Sequence, residues 1–214
     1  AAFTKLTRAR TAMILDEPFF GSLALRLALV ENNSMPTLAV DGKTIFYNAD
    51  FINSLTHSLT KSAVAHEVGH CIFQHIGRRG ARDPNRWNQA GDYVINDMIK
   101  QAGFSLGEGW LHDPAFTNMN ADAIYNLLPD NAPGTGSPGG ALCDVRDGGE
   151  HSTPESSDQM ARDWKIATIQ AATAAKHAGK LPASMERFID ALVKPKVNWK
   201  ERLHNFLSEI TKND

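Results

Sequence analysis

His66-Glu67-Val68-Gly69-His70 is the segment whose residue types and spacing point most directly to chemistry. It is an HExxH pattern inside an apolar run with helical periodicity. An α-helix turns about 100° per residue, so His66 and His70 project about 40° apart on one face. Two imidazole nitrogens placed this way can share one metal ion at about 2.0–2.1 Å. Glu67 points to the side, where it can take a proton from a metal-activated water rather than bind the metal itself. With His66 at 0°, Val64, Ala65, Val68, Cys71, Ile72 and Ile76 fill an arc from about 140° to 280°. His70, Gln74 and Glu67 fall between about 40° and 100°, so the motif is the one polar stripe on a buried helix. Charge buried in that way is costly unless something compensates it.

A catalytic zinc needs a third protein ligand and a position left for water. His75 lies about 140° from His70 on the helical wheel. It reads as a helix-end histidine near the C-terminal dipole. Gly is absent from position 73, so the spacing is not that of metzincins. Asp92 is the better candidate. In Trp87-Asn88-Gln89-Ala90-Gly91-Asp92-Tyr93-Val94-Ile95-Asn96 the apolar arc is Trp87, Val94, Ile95, Met98 and Ile99. Asn88, Asp92 and Asn96 stack at i, i+4 and i+8 along its edge. A carboxylate with an amide one turn on either side suits a metal ligand supported by hydrogen bonds from Asn88 and Asn96. Asp97, Glu108 and His112 are weaker substitutes, and His151 or Tyr93 are candidates to polarise a substrate carbonyl. His57, His177 and His204 have no motif around them.

The elements that must position these groups read as follows. Helices are predicted over 4–15 and 18–31. Asp41-Gly42 between Thr37–Val40 and Lys43–Tyr47 signals a hairpin. A short helix over 49–55 leads to the active-site helix, Thr60 to Ile76, with Gly77 near its end. Another helix covers 87–101 and stops near Gly103. Residues 104–120 read as irregular and 121–127 as helical. The Gly-, Pro-, Ser- and Asp-rich stretch 129–157 reads as a long loop that gates the cleft or carries specificity. Helices over 158–178, 183–193 and 198–211 make a C-terminal helical part. The expected fold class is α+β: a mostly helical core with one small sheet before the active-site helix and extra C-terminal helices, in a single domain over 1–214. The strand over 43–47 is the expected partner for an extended substrate by strand addition.

Bulk properties narrow the function. Lys plus Arg is 22 against 24 for Asp plus Glu, which argues against a nucleic-acid footprint. The basic run Arg78, Arg79, Arg82 and Arg86 reads as dipole complementation past a helix end. Two cysteines, Cys71 and Cys143, are too few for a Cys-rich zinc site, and Cys71 reads as a small core residue. No apolar run reaches membrane-spanning length, and residues 1–10 lack a signal-peptide stretch, so a cytoplasmic location without membrane partners is expected.

Together, Pro18-Phe19-Phe20-Gly21, Asp41-Gly42, the HExxH segment and Trp87-Asn88 through Asp92-Tyr93-Val94-Ile95-Asn96 resemble the metallopeptidase domain found beside von Willebrand factor A-like domains. Ala123 to Leu128 and Val197-Asn198-Trp199-Lys200 fit its later pattern, so the resemblance spans about residues 6 to 207. It implies a zincin-like core and peptidase activity, and supports His66, Glu67 and His70 directly. It also implies von Willebrand factor A-like or AAA-type ATPase partners; the sequence ends at Asp214, near where such an appended domain would begin. The expected reaction is zinc-dependent hydrolysis of a peptide or protein substrate on His66, His70 and Asp92, with Glu67 as general base. The rivals are a non-catalytic zincin-like module that grips a peptide, and a nucleic-acid-associated protease.

Overall fold

The computed structural model describes residues 1–130 and 154–193. Its first two helices are α1 (Ala2–Asp16) and α2 (Pro18–Ala24), the latter opening on Pro18. Proline is tolerated there because the first turn's N–H has no intrahelical partner. Leu6, Ala9 and Met13 recur at helical spacing and are fully buried. At Gly21 an added Cβ would lie 2.5 Å from the Met13 carbonyl carbon, so the glycine is what lets α2 cross α1 backbone to backbone.

The sheet has three strands, β1 (Ala28–Glu31), β2 (Leu38–Val40) and β3 (Thr44–Tyr47), in the order β1-β3-β2. The β2–β3 hairpin forms where Asp41-Gly42 predicts it. Asp41 Oδ1 accepts from the Lys43 and Thr44 N–H groups at 2.8 and 2.7 Å, and Gly42 takes φ +89°. The helix expected over 18–31 ends at Ala24, and residues 28–31 are a strand parallel to β3. Leu23, Leu27 and Val30 satisfy a helical spacing, but pairing with the distant β3 satisfies the backbone of 28–31 instead. The strand over 43–47 is then central, bonded on both sides, and cannot accept a further strand. The edge strand on the helix side is β2.

Asn48 caps α3 (Ala49–Ser54), and Thr56 caps α4 (His57–Ile72) by accepting from the Leu59 N–H at 3.2 Å. Every residue from Ser62 to Ile72 is buried. The expected helix to Ile76 instead breaks at Phe73-Gln74. Gln74 adopts φ 57°, a left-handed conformation uncommon outside glycine, and a short α5 (His75–Arg78) restarts the chain in a new direction. Gly77 therefore lies inside α5 and is not the helix stop. Asp83 caps α6 (Pro84–Gln101), and Gly103 follows it at φ +93°. The stretch 104–120 is irregular apart from a single 3₁₀ turn at Pro114–Phe116, and α7 (Ala121–Leu127) follows.

The last described elements are α8 (Pro154–His177) and α9 (Ala183–Val193). Helix α8 starts at Pro154, so residues 154–157 are helical where a loop is expected. Most of the expected loop, the expected helix over 198–211, His151 and Cys143 lie outside the described residues. The Trp164 indole N–H donates to the Gly42 carbonyl at 2.8 Å, tying α8 to the hairpin turn. The main core joins α1, α2, the sheet, α4, α6 and α8; a second cluster of Trp87, Ala90, Ala121 and Ile124 sits between α6 and α7. The fold is α+β and mostly helical. Among the described residues no helix is long and apolar enough to cross a membrane.

Candidate metal centre

Two glycines let α6 pack closely, Gly69 where it crosses α4 and Gly91 where it meets α5. An added Cβ at Gly69 would lie 2.7 Å from Ile95 Cγ2, and one at Gly91 would lie 2.6 Å from His75 Nδ1. Gly69, inside the HExxH segment, lets α6 come close enough for Asp92 to reach the two histidines. Gly91 leaves room for an imidazole.

At this crossing His66, His70 and Asp92 converge, and all three are buried. His66 Nε2 is 3.1 Å from His70 Nε2, and each is 3.4 Å from Asp92 Oδ1. A tetrahedral ion with ligands at about 2.0–2.1 Å needs them about 3.3–3.4 Å apart. The three atoms are spaced as one face of such a tetrahedron.

Hydrogen bonds fix what His66 offers. The Asn96 side-chain NH₂ donates to the Leu111 carbonyl at 2.9 Å, a group that can only accept. Asn96 Oδ1 therefore faces His66 Nδ1, 2.9 Å away, and accepts its N–H. A neutral His66 then carries a lone pair on Nε2, directed at the space shared with His70 and Asp92. Donor atoms of this kind repel one another in a buried place unless a cation or a proton lies among them. The donor set, two imidazoles and one carboxylate, is of the type that holds catalytic zinc. In the metal-free site burial pushes the Asp92 carboxyl up, but hydrogen bonds and positive charge from the facing His66 and His70 imidazoles outweigh it and bring the pKa down to about 2, so Asp92 is a carboxylate.

Glu67 is buried beside this cluster. With His66, Ala63, Thr37, Leu38, Phe51 and Trp110 it lines a recess of about 10 Å³, on the scale of one water molecule. The recess meets the chain at the start of β2, and the Trp110 ring stands edge-on to His66 with centroids 5.9 Å apart. Cys71, one turn along α4, is a buried thiol whose pKa is pushed well up by burial and by the charges of Glu67 and Asp41, as suits a core residue.

The other candidates fall elsewhere. Asn88 is buried, but neither its amide N nor its O has a hydrogen-bond partner, so no such bond joins it to Asp92. Asp97 accepts from Gln101, Thr117 and the Asn118 N–H, and His112 Nε2 lies 3.6 Å from it; both hold the 112–118 segment. Tyr93 packs on Phe116 in the α6–α7 cluster. Arg78 and Arg82 pair with Asp122, and Arg86 with Asp130, with the Arg82 and Arg86 guanidinium groups 4.7 and 4.4 Å from the Trp87 and Tyr125 rings. These three arginines bind α7 rather than simply complementing a helix end.

His75 is the residue the helical wheel misplaces. The wheel assumes an unbroken helix, whereas the turn at Gln74 swings His75 back, so that its Nδ1 lies 3.3 Å from His70 Nδ1. It is 1% exposed, and burial first, then the neighbouring charges of His70 and Arg78, hold its pKa well below 6.5; it is a neutral imidazole. Trp110 and the Leu111 carbonyl lie in an irregular run, where a tryptophan just after Gly107 and Gly109 is the signal the sequence offers.

No curated protein and no solved structure matches the chain. One family model does, over residues 2–214, and its description is "Putative metallopeptidase domain". A match of that extent, on a chain whose two helices bring two histidines and an aspartate into metal-binding range, places this protein in that metallopeptidase family.

Proposed function

We propose that the protein is a zinc-dependent peptidase in which His66, His70 and Asp92 hold the ion and Glu67 is the general base. The observation that carries this reading is the tetrahedral-face spacing of three buried donor atoms, at 3.1, 3.4 and 3.4 Å, with a glutamate beside them. Bound zinc supplies Lewis acidity, which acidifies water and polarises a scissile carbonyl. Asp92 and the two imidazoles orient that chemistry toward the recess that Glu67 lines. Glu67 takes the proton of the attacking water and later passes it to the leaving nitrogen. Asn96 keeps His66 in the tautomer that presents Nε2. Trp110, Phe51 and Leu38 exclude bulk water around Glu67, which strengthens each electrostatic contact there. An extended substrate runs along the β2 edge, whose first residues flank the recess.

Glu67→Gln tests the assignment. A peptide library incubated with zinc-loaded protein and read by mass spectrometry should show cleavage by the wild type. The variant should retain zinc and lose on the order of 100- to 10,000-fold in rate. Equal cleavage by both proteins would remove Glu67 from the mechanism. A phenotype that survives the substitution unchanged would favour a peptide-binding module.

A further inference from the structure

We infer that His75 is a positioning residue for the metal centre: its Nδ1 accepts the Nδ1–H of His70 and so fixes the ring that presents Nε2 to the ion. The inference rests on the zinc reading of His66, His70 and Asp92.

The two ligand histidines sit one helical turn apart, and each needs its outer nitrogen anchored if the other is to face the metal. For His66 the anchor is the Asn96 amide oxygen, 2.9 Å away. For His70 the group facing Nδ1 is an imidazole, His75 Nδ1, at 3.3 Å. A hydrogen bond between two imidazole nitrogens requires one donor and one acceptor. If His75 donated, His70 would have to carry its proton on Nε2, the nitrogen aimed at His66 and Asp92, and could not ligate. Only the opposite arrangement, with His70 Nδ1–H donating and His75 protonated on Nε2, is compatible with metal at the site.

The fold holds His75 in that place from several sides. The Trp87 indole N–H donates to the His75 carbonyl at 2.9 Å. The His75 ring stacks on Phe73, with centroids 5.5 Å apart and planes at 14°. At Gly91, the neighbour of Asp92, any Cβ would collide with Nδ1 itself. A core-filling role does not account for a histidine here. Its Nε2 is buried without a hydrogen-bond partner, a cost that phenylalanine would avoid while filling the same space.

The test uses the full chain with His75→Phe, His75→Asn and His75→Gln. Asparagine places its oxygen where Nδ1 stood; glutamine places it nearer the Nε2 position; phenylalanine keeps the ring and removes the acceptor. Zinc affinity is measured by competition with a chromogenic chelator, and folding by thermal denaturation. His75→Phe should bind zinc about 10- to 100-fold more weakly, with His75→Asn recovering most of that loss and His75→Gln little of it. Long-range ¹H–¹⁵N NMR of the zinc-loaded wild type should show His70 protonated on Nδ1 and His75 on Nε2. That measurement holds even if a variant fails to fold. A folded His75→Phe with wild-type zinc affinity, or a His75 protonated on Nδ1, would overturn the inference alone. Absence of zinc from the wild type would instead remove the reading on which it rests.

Discussion

Two polar regions meet at Trp87 and behave in opposite ways. Where α4, α5 and α6 meet, His66, Glu67, His70, His75 and Asp92 are all nearly inaccessible; His66, His70 and Asp92 converge, and His75 backs His70. At the α5–α7 junction, Arg78 and Arg82 meet Asp122 with side chains 36–42% exposed. The arginine region adds cation–π contacts to its ion pairs, yet each group there could be solvated without them. The groups of the buried region have no such alternative. Polar side chains that sequence alone presents as similar are thus separated by burial: the exposed set fastens α7, and the buried set has a chemical reason to be there.

Substitutions separate the two regions. The largest stability effect should come from Trp87→Ala, since Trp87 is buried, supports His75 and receives Arg82 on its face. A loss of about 3–5 kcal/mol is expected by chemical denaturation. A cost below about 1 kcal/mol would mean the two regions do not share this support. Gly69→Ala forces a methyl against Ile95 and should cost about 1–3 kcal/mol, with zinc affinity falling as α6 is pushed away. Adding Ile95→Ala should restore zinc affinity; if it does not, the close crossing is not what brings Asp92 to the histidines.

The pH response of metal-free protein separates the regions further. The Asp92 pKa is about 2, below the ordinary 3.8, so its ionised form stabilises the fold above about pH 4 by about 2 kcal/mol. That contribution fades as pH falls toward 2. The stability gap between wild type and Asp92→Asn should therefore shrink across that window in a denaturation series, and a constant gap would contradict it. The smallest effect belongs to Arg82→Ala, at about 1 kcal/mol or less, with zinc affinity unchanged.

How far the sequence discloses this design follows from the range of the interactions. The HExxH pair is local, one helical turn, and legible from spacing. Asp92 and Asn96 are also legible, because a polar row on the edge of an apolar helical stripe marks where a helix faces something other than core. The Leu111 carbonyl that orients Asn96 comes from an irregular run, which carries no periodicity to read. Strand β1 was hidden because its pairing with β3 is non-local and its apolar residues also match a helix. His75 was hidden because the break at Gln74 uses a left-handed residue without glycine, the usual signal.

Whether three buried side chains from two helices share one ion decides the function. Metal analysis of zinc-exposed, desalted protein tests it most directly, with His66→Ala and Asp92→Ala in parallel and their folding checked by circular dichroism. Close to one zinc per wild-type chain is expected, with loss of that zinc in both folded variants. A wild type that emerges metal-free, or an Asp92→Ala protein that keeps its zinc at wild-type affinity, would contradict it.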